Sequence, residues 1–268
     1  MLWNAKDGSV DIGGAKMDYV RFGSGEKNLI LLPGLSDGLA TVKGKALLLA
    51  PPYRLFFEKY TVWMFSRRDP LPRGFSIRDM AADQAAALRA LGVEKAAILG
   101  VSQGGMVAQY LAVDFPQMVD KLILAVSAPC VNDTIRARLT DWMAYAQMGG
   151  HKSLMIDTAE NSYSEAYLKK YRKMYPLLGS VGRPKSYDRF LANAEAILAF
   201  DAREELGKIT CPTLVIGGGE DKIVGPVAAG ELHELISQSD LFVYPEFGHA
   251  AYEEAKDFNE RVYRFFEG

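Results

Sequence analysis

One short segment of the sequence has the residue types and spacing of a nucleophile. An apolar run from Ala96 to Leu99 leads into Gly100-Val101-Ser102-Gln103-Gly104, and a helical pattern begins at once. A serine on a sharp strand-to-helix turn exposes its hydroxyl for attack, and its strained backbone leaves room only for very small neighbours. Gly100 and Gly104 provide that room. Because glycine and serine also form ordinary turns, the prediction that Ser102 is a nucleophile depends on the rest of the chain.

A serine hydroxyl becomes nucleophilic when a base removes its proton, and histidine is the usual base. The chain has 3 histidines. His151 falls in a helical region, and His233 lies in mid-helix beside two glutamates, where a surface position is the simpler interpretation. His249 follows the last predicted strand, in a loop at the carboxyl edge of the sheet, where functional residues collect. We therefore predict that His249 is the base.

The base needs an acid to orient it, and the preceding strand-end loop supplies two carboxylates. The glycines at 217–219 let the chain leave the strand sharply, and Glu220 and Asp221 follow them. An aspartate just before a helix is also a common capping residue. The chain order Ser102, Asp221, His249 is the order found when the serine occupies a turn of this kind. We therefore favour Asp221 as the acid, with Glu220 as the competing carboxylate.

Attack on a carbonyl also needs two backbone N–H groups that stabilise the developing negative charge. The N–H of Gln103, the residue after the nucleophile, opens a helix whose positive end points at the reacting centre. The second donor should come from the loop after the predicted strand 28–32. Leu35 is our candidate there, because Gly34 lets the backbone approach closely.

Short apolar runs alternate with helical patterns over most of the chain. This alternation predicts an α/β fold with a mostly parallel central sheet that helices cover on both faces. It stops at Pro129, and only helical patterns occur from Asn132 to about Phe200. We therefore divide the chain into a first part of the core (residues 1–131), a helical insertion (132–200) and a second part of the core (201–268).

Together these motifs resemble the α/β-hydrolase superfamily along nearly the whole chain. The matching pieces are Pro33-Gly34, the segment from Gly100 to Gly105, the segment from Asp221 to Val224, and Gly248-His249. The resemblance implies a serine hydrolase core without a cofactor or metal, and a helical cap inserted after the sixth strand. The order of motifs is most similar to small esterases, enol-lactonases, haloperoxidase-like enzymes and carbon–carbon bond hydrolases.

The sequence departs from many of these relatives at the predicted oxyanion loop. Where this chain has Pro33-Gly34, they have His-Gly, and that histidine helps to hold the loop. The support of the loop must therefore differ here. A second position separates the chain from the haloalkane dehalogenases of this fold, because their nucleophile is an aspartate and Ser102 occupies that place.

Aromatic residues of the helical insertion are candidates for a substrate pocket. One group recurs every four residues, a spacing that places its members along one side of a helix: Tyr163, Tyr167, Tyr171 and Tyr175. A second patch contains Trp142, Tyr145 and Met148. Packing of the cap onto the core explains both groups, and substrate contact is the alternative. The pocket candidates are Trp142, Tyr145, Tyr167 and Tyr171. A cavity bordered by them would favour an apolar acyl or aryl group.

The charges of the chain indicate a small-molecule substrate rather than a highly charged partner. The net charge of -2 over 268 residues argues against nucleic-acid binding, which needs a clustered basic excess. The Arg67-Arg68-Asp69 segment follows a predicted strand near the carboxyl edge. It fits either a contact to an anionic substrate group or a structural ion pair.

Other features of the sequence bear on the compartment. The amino terminus has no basic segment followed by an apolar run, and no stretch reaches the ~18 apolar residues of a membrane span. Cys130 and Cys211 make no disulfide framework, so we interpret them as buried thiols. We predict a cytoplasmic protein with no membrane partner, and the oligomeric state stays open.

The sequence therefore predicts a carboxylic-ester hydrolase that uses a Ser-His-Asp triad and an acyl-enzyme. Two alternatives stay open. A lactonase or a carbon–carbon bond hydrolase would use the same triad, because the chemistry then depends on the leaving group and the pocket. A small-molecule receptor on this fold is the second alternative, since a fold alone decides no function.

Overall fold

A computed structural model of the chain describes residues 2–179 and 182–268. Eight strands form one sheet: β1 (Lys6–Asp11), β2 (Lys16–Phe22), β3 (Lys27–Leu32), β4 (Tyr60–Phe65), β5 (Ala96–Val101), β6 (Val119–Ala125), β7 (Thr213–Gly218) and β8 (Ser239–Tyr244). Their order is β1-β2-β4-β3-β5-β6-β7-β8. Strands β3 to β8 are parallel, and β1 and β2 form an antiparallel edge. The prediction of a mostly parallel sheet is confirmed.

The helices follow the strands in alternation, with a run of four between β6 and β7. They are α1 (Ala46–Leu49), α2 (Ile77–Ala90), α3 (Gln103–Asp114), α4 (Asp133–Gln147), α5 (His151–Ser162), α6 (Glu165–Tyr171), α7 (Asp188–Leu198), α8 (Ala228–Leu235), α9 (Ala251–Glu254) and α10 (Phe258–Glu267). Helices α4 to α7 form the cap that follows the sixth strand. Within the described ranges, none of these helices is long and apolar enough to span a membrane.

The two faces of the sheet are buried in two separate hydrophobic clusters, because side chains alternate along a strand. On β3, Ile30 and Leu32 join the cluster that includes α2 and α3, whereas Leu29 and Leu31 join the cluster that includes α10. All four side chains are at most 3% exposed. Burial of each contributes about 1.5–3 kcal/mol, so the apolar run of β3 explains its central place in the sheet.

The cap packs onto the first of these clusters through one face of α4. Ile135, Leu139 and Trp142 are spaced by four and three residues, which puts them on one side of the helix. All three are buried in the same cluster as the residues of α2 and α3. The cap is therefore continuous with the hydrophobic core and covers the carboxyl edge of the sheet next to it.

The two cysteines differ from the expectation of buried thiols. Cys130 and Cys211 are free thiols of intermediate exposure. Both follow a proline or precede one at the margin of the sheet, where the chain leaves the packed interior. Partial desolvation still raises the pKa of both thiols.

Candidate active site

Ser102 lies on the turn that joins β5 to α3, and its backbone is strained there. Its φ angle of 53° lies in the left-handed region that favours glycine. A Cβ atom added to Gly104 would lie 1.9 Å from the carbonyl oxygen of Leu32, and one added to Gly100 would lie 2.5 Å from that of Gly104. A side chain at either position would therefore collide with backbone. The tight turn depends on both glycines.

The end of β6 holds this strained turn, a contact that the sequence analysis missed. The N–H of Ser102 donates to the carbonyl of Ala125 at 2.9 Å. The hydroxyl of Ser127 donates to the carbonyl of Ser102, also at 2.9 Å. Because both backbone groups of Ser102 are bonded, its main chain is fixed, and the direction of its side chain is fixed with it.

The structure brings Ser102, His249 and Asp221 into one hydrogen-bonded chain. Nε2 of His249 lies 2.9 Å from Oγ of Ser102, and Nδ1 lies 2.8 Å from Oδ2 of Asp221. Only 1% of the Asp221 side chain is exposed. Its second oxygen, Oδ1, accepts the N–H groups of Ile223 at 2.8 Å and Val224 at 2.9 Å. These bonds orient the carboxylate so that Oδ2 faces the imidazole.

This geometry can move a proton away from the serine. A carboxylate beside Nδ1 favours the tautomer in which Nδ1 carries hydrogen, and Nε2 is then free to accept the proton of Ser102. The imidazolium that forms is stabilised by the same carboxylate. The arrangement therefore has the parts needed for nucleophilic catalysis by a serine.

The competing candidates of the sequence analysis lie elsewhere. Glu220 is exposed, and its backbone N–H donates to the carbonyl of Phe247 at 3.0 Å. His233 pairs with Ser239, whose hydroxyl is 2.9 Å from Nδ1. His151 is buried in the cap, with its ring 6.2 Å from that of Tyr187. Of the three histidines, His249 is the one that bonds to Ser102.

Both predicted oxyanion donors occupy the first position of a helix. Leu35 opens a 3₁₀ turn that ends at Gly38, and Gln103 opens α3. N–H groups at first helical positions have no acceptor within the helix, so they are available to a ligand. A Cβ atom added to Gly34 would lie 3.3 Å from Cβ of Ser102, so the loop that carries Leu35 runs directly against the nucleophile.

A buried arginine holds the loop that carries Pro33 and Leu35. Arg67 is 4% exposed, and its Nη2 donates to the carbonyl of Pro33 at 2.6 Å. Its backbone N–H donates to Oδ2 of Asp37, within the 3₁₀ turn, at 2.9 Å. Burial lowers the pKa of Arg67 to about 10, so the guanidinium is still charged at neutral pH. The support that the sequence left open therefore comes from the segment that follows β4.

The neighbouring arginine forms a structural ion pair. Nε and Nη2 of Arg68 lie 2.5 and 2.6 Å from the two carboxylate oxygens of Asp83 on α2. A bidentate pair of this kind fixes both side chains. Of the two interpretations of the Arg67-Arg68 segment, the structural one therefore fits, because both guanidinium groups bond to groups of the protein.

An apolar cavity of about 150 Å³ lies beside Ser102 and His249. Loop and cap residues line it together, among them Leu35, Met106, Ile135, Leu139, Trp142 and Phe190. The described lining contains no lysine, arginine, aspartate or glutamate. Besides the two site residues, its polar side chains are Ser36, Thr158, Ser162 and Tyr252. Burial raises the pKa of Tyr252 well above its usual value, so this phenol is neutral.

The aromatic residues of the cap differ in part from the expectation. Trp142 lines the cavity, as predicted. Tyr145 packs against the core cluster instead. Tyr163 stacks on Tyr167, and Tyr167 stacks on Tyr171, with ring centroids 4.3 and 4.2 Å apart. The described lining of the cavity includes none of these four-residue-spaced tyrosines and not Tyr145, so the structure places these predicted pocket residues outside that lining.

The tyrosines also do not form the single helix that their spacing predicts. Ser164 caps α6, so Tyr163 belongs to the preceding connection, and α6 ends at Tyr171. Tyr175 lies in a 3₁₀ turn and donates its hydroxyl to Glu160 at 2.8 Å. The hydroxyl of Tyr163 donates to Glu253 at 2.5 Å. The stack therefore ties the cap to α9 rather than facing the cavity.

No metal chemistry is suggested by the side chains near the site. Within residues 2–179 and 182–268, no group of three or more histidine, cysteine, aspartate or glutamate side chains could hold a metal ion. The site residues are a serine, one histidine and one aspartate, and the histidine and aspartate bond to each other.

Comparison with known proteins adds a family to this geometry. The family model described as the α/β hydrolase fold matches residues 29–256. The 3-oxoadipate enol-lactonase 2 of Acinetobacter baylyi is 26% identical, covering 92% of this chain and 91% of that protein. The pimeloyl-[acyl-carrier protein] methyl ester esterase of Pectobacterium atrosepticum is 27% identical, covering 91% and 95%.

A solved structure has the same fold over nearly the full length. The crystal structure of the enol-lactonase from Burkholderia xenovorans superimposes with a TM-score of 0.80. It covers 97% of this chain and 100% of the other, at 19% sequence identity. At that identity the likeness concerns the fold, while the two relatives above are both named as hydrolytic enzymes.

Proposed function

Since the chain belongs to the α/β-hydrolase family and its relatives are hydrolases, we propose that it hydrolyses carboxylic esters through an acyl-enzyme on Ser102. One observation carries the proposal. His249 joins Oγ of Ser102 and Oδ2 of Asp221 at 2.9 and 2.8 Å, at the wall of an apolar cavity. A base in hydrogen-bond contact with both its nucleophile and its orienting acid is the arrangement that acyl transfer needs.

The proposed reaction has two halves. Oγ of Ser102 attacks the ester carbonyl while Nε2 of His249 takes the hydroxyl proton, and the N–H groups of Leu35 and Gln103 stabilise the oxyanion. His249 then protonates the departing alcohol. In the second half, water attacks the acyl-enzyme with His249 again as base, which releases the acid and restores the Ser102 hydroxyl. Asp221 stabilises the imidazolium in both halves.

The cavity supports a small, uncharged acyl group. Its volume of about 150 Å³ is close to that of a cavity that holds benzene. The described lining has no cationic side chain to pair with a substrate carboxylate, and burial of an unpaired carboxylate is costly. The acyl groups proposed are therefore short aliphatic or single-ring aromatic. The value of kcat/KM for p-nitrophenyl butyrate should exceed that for mono-p-nitrophenyl succinate, whose acyl group ends in a carboxylate, by at least about tenfold.

Lactone hydrolysis is the second candidate, because one relative carries the name of an enol-lactonase. A lactone is an internal ester, so the same three side chains would act and the leaving alcohol would stay attached to the acyl group. Carbon–carbon bond hydrolysis would use the same nucleophile, but the group that leaves the carbonyl carbon and takes up a proton would be a carbon atom instead of an alcohol oxygen. A screen of matched esters, lactones and β-diketones would separate the three reactions by kcat/KM.

The first experiment measures hydrolysis of p-nitrophenyl acetate and butyrate by the wild type and by Ser102→Ala. We expect turnover by the wild type and at least a 10⁴-fold loss, on the order of other triad deletions, in the variant. A fluorophosphonate should label the wild type and leave Ser102→Ala unlabelled. Labelling that persists in the variant would overturn Ser102 as the nucleophile.

A receptor on this fold would give a different pair of results. It would bind small apolar esters tightly, as measured by calorimetry, and turn none of them over.

Several expectations stay predictions of the sequence. They are the cytoplasmic location, the absence of nucleic-acid or membrane partners, the absence of a cofactor, and the division into core and cap at residues 131 and 200.

A further inference from the structure

The last helix of the cap contacts both elements that carry the proposed oxyanion donors. Arg189 and Asn193 lie four residues apart on α7, which puts them on one face of the helix. Arg189 reaches the 3₁₀ turn that begins at Leu35, and Asn193 reaches Gln103 at the start of α3. One helix thus bonds to both segments.

Arg189 donates four hydrogen bonds, two to Asp37 in the turn and two to the segment that follows β4. Its Nη2 donates to Oδ2 of Asp37 at 2.6 Å, and its Nε donates to the Asp37 carbonyl at 3.2 Å. Nη1 and Nη2 also donate to the carbonyls of Arg68 and Arg67, at 2.5 and 2.9 Å. The Asp37 side chain is 1% exposed, so its charge depends on these donors.

The backbones of α7 and the turn are also in direct contact. A Cβ atom added to Gly38 would lie 2.8 Å from Cα of Phe190, so no side chain fits between them. Leu35 stands at the other end of this four-residue turn. A displacement of α7 would therefore move the turn, and with it the N–H of Leu35.

Asn193 bonds to the side chain of Gln103, whose backbone N–H is the second proposed oxyanion donor. Nε2 of Gln103 donates to Oδ1 of Asn193 at 2.9 Å and to its carbonyl at 3.2 Å. Nδ2 of Asn193 donates in turn to the carbonyl of Arg189, one helical turn earlier. Gln103 and Asn193 are both 0% exposed. The side chain of Gln103 is therefore fixed to α7, while its backbone N–H opens α3 directly after Ser102.

We infer that α7 positions both oxyanion donors, with Arg189 and Asn193 as the positioning residues. The inference rests on the proposed function, since it assigns the support of the same site. Oxyanion stabilisation needs two N–H groups about 3 Å from one oxygen, and a misplacement of about 1 Å costs up to about 100-fold in rate. A single rigid helix that contacts both segments fixes the distance between the donors.

The test compares Arg189→Met and Asn193→Ala with Glu195→Gln. Glu195 lies on the same helix, pairs with Arg73 at the surface, and serves as the matched control. With p-nitrophenyl butyrate, we expect kcat per active site to fall about 10- to 100-fold in the first two variants, with KM changed less than about threefold. The dissociation constant of n-butylboronic acid, which forms a tetrahedral adduct on a serine, should rise in step. The control should keep wild-type values.

Folding has to be separated from positioning. Active sites are counted by fluorophosphonate titration, and circular dichroism follows thermal unfolding. A merely structural role would lower the unfolding temperature and leave both kcat per active site and the boronic acid affinity unchanged, which would overturn the inference. Arg189→Lys keeps a positive charge next to Asp37 but lacks the several N–H donors of the guanidinium group. It should therefore keep part of the wild-type kcat even if Arg189→Met fails to fold.

The two proposals fail in different ways. If the wild type hydrolyses no ester, the proposed function is wrong, and the boronic acid affinity measured by calorimetry still tests the positioning of the donors. If the wild type hydrolyses esters and the two variants match Glu195→Gln in kcat and in boronic acid affinity, only the positioning role is wrong.

Discussion

The two loops that meet at Ser102 are held in opposite ways. On the acid side, the loop after β7 is fixed by backbone: the Asp221 carboxylate accepts two N–H groups of its own turn, and a Cβ atom on Gly218 would lie 2.3 Å from the carbonyl oxygen of Gly248. On the oxyanion side, the turn after β3 is held by charged side chains, Arg67 from the segment after β4 and Arg189 from the cap.

The cap contacts both sides, but by different means. On the acid side it meets the backbone next to His249, where the carbonyl of Ser162 on α5 accepts the N–H of Ala250 at 2.9 Å, so the geometry there follows from backbone packing. The oxyanion side needs an ion pair between residues 152 positions apart, one in the core and one in the cap. We therefore expect the acid side to fail when a glycine gains a side chain, and the oxyanion side to fail when a charge is removed.

The largest effect should come from the acid itself. Asp221→Asn keeps the size of the side chain but favours the wrong imidazole tautomer, and kcat should fall by about 10⁴-fold with little change in thermal stability. Glu220→Gln is the matched control, since Glu220 is exposed beside it. Steady-state kinetics with p-nitrophenyl butyrate measures both. Wild-type turnover in Asp221→Asn would move the acid role to another carboxylate.

Gly218→Ala should break the acid side through its backbone. The added methyl group meets the carbonyl of Gly248, next to His249, and we expect a loss of about 2–4 kcal/mol in the free energy of unfolding together with a large loss of kcat. Gly230→Ala is the control, because nothing lies within 4 Å of its Cβ position in α8. Urea unfolding compares them. Equal free energies of unfolding for Gly218→Ala and Gly230→Ala would show that the loop rearranges at little cost, which contradicts the prediction.

Arg67→Met should separate activity from stability on the oxyanion side. Burial lowers the pKa of Arg67 to about 10, so its charged form is held in the fold at a cost that an apolar side chain avoids. We expect kcat to fall about 10- to 100-fold, while the unfolding midpoint stays equal or rises. Arg67→Lys should recover less than half of the activity. A parallel loss of both quantities would make Arg67 a structural residue only.

The smallest effect should arise far from both loops, at Glu267. Hydrogen bonds from Lys59, Tyr60 and Lys27 lower the pKa of this carboxyl to about 2. Since the folded pKa is depressed, the stabilisation is present above the usual carboxyl pKa and is lost as pH falls toward 2. Glu267→Gln should cost about 1 kcal/mol at pH 7 and leave kcat unchanged. Urea unfolding between pH 7 and 2 measures the difference, which should shrink with acid.

Local sequence signals predict the fold and the hydrogen-bonded trio, because each is written in short segments. Gly100 and Gly104 mark the turn, and Asp221 and His249 each follow a recognisable strand, so chain order alone brings them to one edge of the sheet. The Pro33-Gly34 segment likewise identifies the loop that runs against Ser102. These predictions need no knowledge of which distant residues touch.

Contacts between distant side chains carry no such signal. Neither Asp37 nor Arg189 stands in a sequence pattern that points to the other. The ion pair that holds the oxyanion loop could therefore not be predicted from the sequence. The tyrosines mislead for another reason. Their spacing of four residues describes one helix, but Ser164 ends that continuity by capping a new one, and Tyr163 and Tyr175 fall outside it.

Trp142 gives the protein its own optical probe. Its indole lines the cavity and donates to Asp157 at 2.7 Å, whereas Trp3 lies in an amino-terminal turn and Trp63 in β4. Of the 3 tryptophans in the chain, one therefore changes surroundings when the pocket fills. Occupancy of the site can be followed by intrinsic fluorescence, without a label and without turnover, which makes a search for ligands independent of any assumed reaction.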